Sequence, residues 1–295
     1  VMQVDVYANL KQGERGVWVS IIAYVCCSLV KVGVALAAGS EALLADGLNN
    51  TTDVVASVAV LIGLRISRKP PDHDHPYGHF RAETISALVA SFIMLAVGIE
   101  VLSRAISSLF NPEMKAPDML AGWTALATAA VMFGVYRYNR RLARATHSQG
   151  LMAAAEDNRS DALVSVGTFA GVAGAQFQLH WLDPLTALVV GGIILKTAWS
   201  IFREAAHRLT DGFDRGELEA LRSTIAQIPG VKDIKDIKAR YHGSSVLVDV
   251  VIHVDPRLNV TESHTITEDI EARMRAAHNV NAVHIHIEPD ERSQR

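Results

Sequence analysis

The chain has 295 residues, long enough for two domains, with 49% hydrophobic residues and a formal net charge of -3. That balance argues against a nucleic-acid protein, which presents a strongly basic face. The only cysteines, the adjacent Cys26 and Cys27, are too few for a disulfide framework or a Cys-based zinc site.

A helix crossing a bilayer needs about 20 predominantly apolar residues. Six runs meet this in chain order, 17–38, 41–66, 84–109, 118–139, 152–178 and 182–204. They are separated by Gly39-Ser40, Lys69-Pro70-Pro71, Asn111-Pro112, Arg140-Arg141 and Trp181-Leu182-Asp183-Pro184. The first run lacks a small-residue cleavage pattern, so it is expected to remain as a span. Loops on one side carry Lys11, Arg15, Arg65, Arg68, Lys69, Arg81, Arg137, Arg140, Arg141, Arg144, Arg203 and Arg208, whereas the other side has only Arg104 and Lys115. Because Lys and Arg collect on the cytoplasmic side, both termini are expected there. Lys31 and Lys196 fall within spans and are expected to snorkel toward an interface.

Beyond about residue 207 short apolar segments alternate with dense charge, as in a water-exposed domain. The expected division is a six-helix transmembrane domain over 1–209 and a cytoplasmic domain over 210–295. Leu218, Leu221, Ile225 and Ile228 recur at helical spacing before Pro229-Gly230 stops the helix. Alternation places Val246, Val248, Val250, Ile252 and Val254 on one face of a strand, with Asp249 and His253 opposite. A second helix carries Ile266, Ile270 and Met274, and Val283, Ile285 and Ile287 form the inward face of a last strand. The order helix, strand, strand, helix, strand predicts two helices on one side of a small sheet, an α+β domain.

Three clusters carry chemistry. In the second run LLADGLNNTTDVVAS places Asp46, Asn49, Asn50 and Asp53 along one helical face. A carboxylate at bilayer depth costs roughly 2.5–3.5 kcal/mol on insertion scales, so a partner is expected. The fifth run holds Glu156, Asp157, Asn158, Arg159, Ser160 and Asp161, and Asp157 and Asp161 repeat the four-residue spacing of Asn49 and Asp53. Brought together, the two faces present hard oxygen ligands that suit Mn, Mg or Ca, and less selectively Fe, better than zinc. The alternative is an aspartate that pairs with Arg159 or lines a water-filled crevice for packing alone. The second cluster is Asp72, His75 and His79 in PPDHDHPYGHFRAE, either a metal site or a solvated His-rich loop. The third comprises His253, His264, His284, His286 and Glu288 on non-core faces of the tail, either a metal site or a polar contact face.

From about residue 15 to 290 the chain resembles the cation diffusion facilitator family: six spans, paired polar motifs on the second and fifth, a His/Asp loop after the second, and a small cytoplasmic domain. The resemblance implies a homodimeric transporter, not an enzyme, that sits in the cell membrane, moves a divalent metal out of the cytoplasm in exchange for protons, and carries a ferredoxin-like (αββαβ) tail. Its transport site falls on Asn49, Asp53, Asp157 and Asp161, its loop site on Asp72, His75 and His79, and its tail site on His253, His264, His286 and Glu288. The family's dimer charge contact would be Arg81 with Asp211. Zinc-type members have Asp or His in place of Asn49 and His in place of Asp157, so the pattern looks like the manganese-type group. Lys235 stands where some members have a further His. Fe2+, Zn2+, Co2+ or Cd2+ as cargo, and a metal-responsive receptor without flux, are the alternative readings.

Overall fold

The computed structural model describes residues 2–38, 41–110, 118–177, 182–278 and 280–290. Six long helices come first: α1 (Met2–Ala38), α2 (Glu41–Ser67), α3 (Arg81–Phe110), α4 (Met119–Thr146), α5 (Gln149–Gln176) and α6 (Leu182–Leu209). They are followed by α7 (Arg215–Ala226), β1 (Asp233–His242), β2 (Ser245–Val254), α8 (Val260–His278) and β3 (Ala282–Pro289). The architecture is the expected helical membrane domain followed by an αββαβ domain. Contacts divide the chain into one unit of Tyr7–Ala205 and another of Ala206–Arg295 with Val1–Val6.

The helices outrun the apolar segments that predicted them. Helix α4 continues through Arg137, Arg140, Arg141 and Arg144 to Thr146, because charge alone does not break a helix. It starts at Asp118, whose side chain accepts from Leu120 N, and ends where His147 turns left-handed at φ 52°. Helix α1 likewise begins at Met2 instead of near residue 17. The Gly39-Ser40 and Asn111-Pro112 breaks and Trp181 lie outside the described residues. Among the described residues, α1, α3 and α4 contain stretches long and apolar enough to cross a membrane, at Lys11–Ala37, Arg81–Ser107 and Met119–Thr146. In α2 and α5 the apolar run is interrupted by the polar residues of the candidate site.

Within this unit α4 packs extensively on α5, and α2 contacts both α3 and α5. Gly63 permits the close approach of α2 to α3, since a Cβ there would sit 2.3 Å from the Ser86 side chain. Lipid-facing positions such as Ile22, Leu29, Leu36 and Ile62 are exposed, whereas Tyr24, Lys31, Asn50, Asn139 and Asn158 are buried. The helical unit therefore encloses a polar cluster within its core and turns an apolar surface outward.

The second unit has a three-stranded sheet in the order β1-β2-β3, with β1 antiparallel to β2 and β2 parallel to β3. A parallel neighbour requires a crossover, which α8 supplies. Val248, Val250, Ile252 and Val254 meet Leu221 and Ile225 of α7 and Ile270 and Met274 of α8 in one core. Asp214 caps α7 by accepting from Glu217 N at 2.9 Å. Ile270 is fully buried in that core. Ile270→Ala is expected to destabilise this domain by about 2–5 kcal/mol through lost burial and a residual cavity, measured by urea unfolding of the purified protein followed by circular dichroism.

Candidate metal sites

Helices α2 and α5 bring the intramembrane carboxylates together. Asp53, Asp157 and Asp161 line one small cleft with Ser160 and the apolar Met94 and Val97. All three carboxylates are buried, and Asp53 Oδ2 and Asp161 Oδ2 have no hydrogen-bond partner. A buried, unpaired carboxylate oxygen is costly, and such oxygens sharing a cleft form a set of hard donors suited to a divalent cation. Asn49 belongs to α2, but its side chain lies outside the described residues. The Arg159 form of the packing alternative is not what the geometry shows. Arg159 pairs with Glu156 at 3.0 Å and donates to Thr197 at 2.9 Å, away from the aspartates.

The structure corrects the reading of Lys31. Instead of snorkelling, it is fully buried and its Nζ lies 3.0 Å from Asp46 Oδ1. The ammonium also donates to Ser165 Oγ at 2.9 Å, and that hydroxyl donates to Asp46 Oδ2 at 3.4 Å. The partner demanded by Asp46 therefore comes from α1, with α5 adding a hydroxyl. Asp46 is thus an internal ion-pair member. With the amide of Asn50 oriented to satisfy its neighbours, its nitrogen donates to Asp161 Oδ1 at 2.8 Å and to the Asp46 carbonyl at 3.3 Å.

A further network was missed by sequence reasoning. Tyr24 donates to Asp157 Oδ2 at 3.0 Å and accepts from Asn158 Nδ2 at 2.9 Å. Asn158 Oδ1 accepts from Ser20 at 2.9 Å and from Asn139 Nδ2 at 3.1 Å, and Asn139 also donates to Ser20 at 2.7 Å. The signal was available as Ser20, Tyr24, Ser28 and Lys31, which repeat at helical spacing on one face of α1.

The loop cluster converges by local hydrogen bonding. Asp72 Oδ1 accepts from the backbone N–H of Asp74 at 3.1 Å and of His75 at 2.7 Å. Gly78, at φ 85°, closes the turn with its N–H on the His75 carbonyl at 2.9 Å. As a result the ligand atoms of Asp72, His75 and His79 all lie within 4.8 Å of one another, the only group of three or more His, Cys, Asp or Glu side chains to do so among the described residues. The His75 backbone hydrogen bond holds the Asp72 carboxyl below the usual range. This keeps it an anion, the form that ligates metal.

In the tail, Glu288 lies 3.5 Å from His253 Nε2 and 3.8 Å from His286 Nε2. Lys235 takes both of its oxygens, at 2.9 and 2.7 Å, and holds the carboxyl below its usual range. Lys235 sits at a register irregularity between Ile234 and Asp236, the kind of bulge that re-aims a side chain. His264, on α8, instead faces Glu268 at 3.7 Å. His284 lies 3.8 Å from Asp249. The structure therefore groups His253, His286 and Glu288 around a lysine and leaves His264 apart from that group. Arg81 and Asp211 belong to different units, and within its own unit Asp211 lies 3.9 Å from Arg240.

Comparison with known proteins places these sites in context. The cation efflux transmembrane domain matches residues 17–210, and the cation efflux protein cytoplasmic domain matches 213–290. The chain is 58% identical over 283 residues to the manganese efflux system protein MneS of Bacillus subtilis, covering 96% of this chain and 98% of that protein. It is 54% identical, over the same shares, to the uncharacterized transporter YdbO of Bacillus subtilis. It is 32% identical over 259 residues to the magnetosome protein MamM of Paramagnetospirillum magneticum, covering 86% of this chain and 81% of that protein.

The Lys31–Asp46 pair yields a stability test. Lys31→Ala leaves a buried carboxylate without its cation and is expected to cost about 3–5 kcal/mol, whereas Lys31→Met with Asp46→Leu, which removes both charges, costs much less. Thermal unfolding in detergent, followed by tryptophan fluorescence, reads the difference. Equal losses in the two variants would show that the charges are not coupled.

Proposed function

The chain belongs to the cation diffusion facilitator family of cation efflux transporters, and we propose that it exports Mn2+ from the cytoplasm through a site built from Asn49, Asp53, Asp157 and Asp161. The observation that carries this reading is the cleft where α2 and α5 present three buried carboxylates, two of them with an unpartnered oxygen and none with an imidazole beside it. An all-oxygen donor set matches a hard cation. The manganese efflux relative, 58% identical across nearly the whole chain, supports the same cargo.

The proposed mechanism is alternating access in a homodimer seated in the cell membrane, with both termini in the cytoplasm. The C-terminal region is of the family's cytoplasmic, dimerising type, and we take 1–209 as the transport domain and 210–295 as the cytoplasmic one. Facing inward, the carboxylates exchange protons for Mn2+; facing outward, protons displace the cation. Binding and protonation compete because a carboxylate must be deprotonated to coordinate. Lys31 and Asp46 cancel each other beside the site, so the net negative charge is left to Asp53, Asp157 and Asp161. Asp72, His75 and His79 form a second cation site, and Arg81 with Asp211 the charge contact that steadies the dimer. In the tail, His253, His286 and Glu288 act with Lys235 chiefly as a polar contact set, because Glu288 is already neutralised by the lysine.

Reconstituted protein is expected to take up Mn2+ in preference to Zn2+, Fe2+ and Cd2+, with uptake faster when the lumen is more acidic than the bath. Asp53→Ala and Asp161→Ala should each reduce Mn2+ flux to background. Equal Zn2+ flux by the unaltered protein would refute the donor-hardness argument, and indifference to the pH gradient would refute the antiport step.

A further inference from the structure

The two carboxylates of α5 do not enter the cleft with both oxygens free. The Tyr24 hydroxyl holds Asp157 Oδ2 at 3.0 Å, and Asn50 holds Asp161 Oδ1 at 2.8 Å. The opposite oxygen of Asp161, Oδ2, has no partner.

The hold on Asp157 has a fixed direction. An amide nitrogen only donates, so Asn158 Nδ2, 2.9 Å from the Tyr24 hydroxyl, must give its proton to that oxygen. Tyr24 has a single proton, and Asp157 is the acceptor left for it. The Asn158 amide is oriented in turn from behind. Its Oδ1 receives Ser20 Oγ and Asn139 Nδ2, so it cannot turn its nitrogen toward those donors without opposing them. Ser20, Tyr24, Asn139 and Asn158 thus form a one-way chain of donors that ends on one oxygen of Asp157. The polar groups of the cleft and of this chain are carried on α1, α2, α4 and α5, so the constraint belongs to the helical unit itself.

Resting on the transport-site reading above, we propose that Tyr24 and Asn50 are specificity-determining positioning residues that restrict Asp157 and Asp161 to one coordinating oxygen each. Large hard cations such as Ca2+ take six to eight oxygens and use carboxylates in bidentate fashion, while smaller divalent ions are satisfied by octahedral, one-oxygen ligation. A hydrogen bond to one oxygen of each carboxylate draws electron density from it and fixes the carboxylate's orientation, which weakens that oxygen as the second arm of a bidentate ligand and disfavours the larger ion. Neither residue ligates the cargo; each acts through the carboxylate that it holds.

The test is Mn2+ and Ca2+ uptake by the full chain in proteoliposomes, alone and in competition, for the unaltered protein, Tyr24→Phe, Asn50→Ala and Asp161→Ala. Tyr24→Phe and Asn50→Ala are each expected to lower the Mn2+ to Ca2+ flux ratio by about tenfold, through a higher KM for Mn2+ and a gain in Ca2+ flux, the scale seen when groups supporting metal ligands are removed. A purely structural role would lower both fluxes together and leave the ratio unchanged, and that result in both variants overturns the proposal. If Tyr24→Phe yields no folded protein, the ratio in Asn50→Ala decides alone. Loss of flux in Asp161→Ala with unchanged ratios in the other variants removes only this inference. Retained Mn2+ flux in Asp161→Ala removes the transport-site reading beneath it as well.

Discussion

A carboxylate buried among apolar helices is retained only where something meets its charge, and much of the helical unit follows from that requirement. Asp46 is met by Lys31, with Ser165 completing a triangle of contacts. The triangle draws on α1, α2 and α5, so it fixes three helices with one set of side chains. Asp53, Asp157 and Asp161 share one cleft, and Asp53 Oδ2 and Asp161 Oδ2 have no hydrogen-bond partner there.

Helix α1 therefore does more than anchor the chain. Its outward face is apolar, with Ile22, Leu29 and Leu36 exposed, while Ser20, Tyr24 and Lys31 are turned inward and buried or partnered. Each inward group contacts α5 or α2 and none belongs to the carboxylate set. Buried polar networks of this kind are specifying, because other packings leave more polar atoms unpaired in a medium that offers no replacement. Asn139 extends the network to α4, the helix that packs most extensively on α5. The orientation of Asp157 is thus set by residues from two other helices, α1 and α4, as well as by its own helix.

Much of this architecture is legible in the sequence. The six apolar runs, the αββαβ order of the tail and the inward faces of β2 and α8 follow from hydrophobic periodicity, since burial imposes it. The ends of α1 and α4 were misjudged because apolarity marks where a membrane crosses, not where helical hydrogen bonding stops. Lys31 was misread because a lone lysine in a span has a cheap way out by reaching to the interface, and only the position of Asp46 removes that option. The roles of Asn49 and Asn50 could not be separated by spacing, because adjacent residues on a helix diverge by roughly 100° and a partner helix decides which one matters. His264 was grouped with His253, His286 and Glu288, yet the facing of α8 against the sheet is a packing outcome that no strand pattern encodes.

The same hydrogen-bond directions bear on what would be required to change the cargo. A site that prefers zinc gains from an imidazole at position 157, as the family pattern indicates. A neutral imidazole that gives one nitrogen to a metal carries its proton on the other, so its second position is a donor. Here the Tyr24 hydroxyl also arrives as a donor, and Asn158 prevents it from reversing because the amide nitrogen already points at the same oxygen. Two donors would then face one another in a buried, low-dielectric space, where an unmade hydrogen bond costs about 1–3 kcal/mol. Aspartate at 157 and the chain that begins at Asn139 are therefore a matched pair, and an imidazole is accommodated only if Tyr24 or Asn158 changes with it. The side chain at position 157 is thus constrained by the donors around it as well as by its own helix.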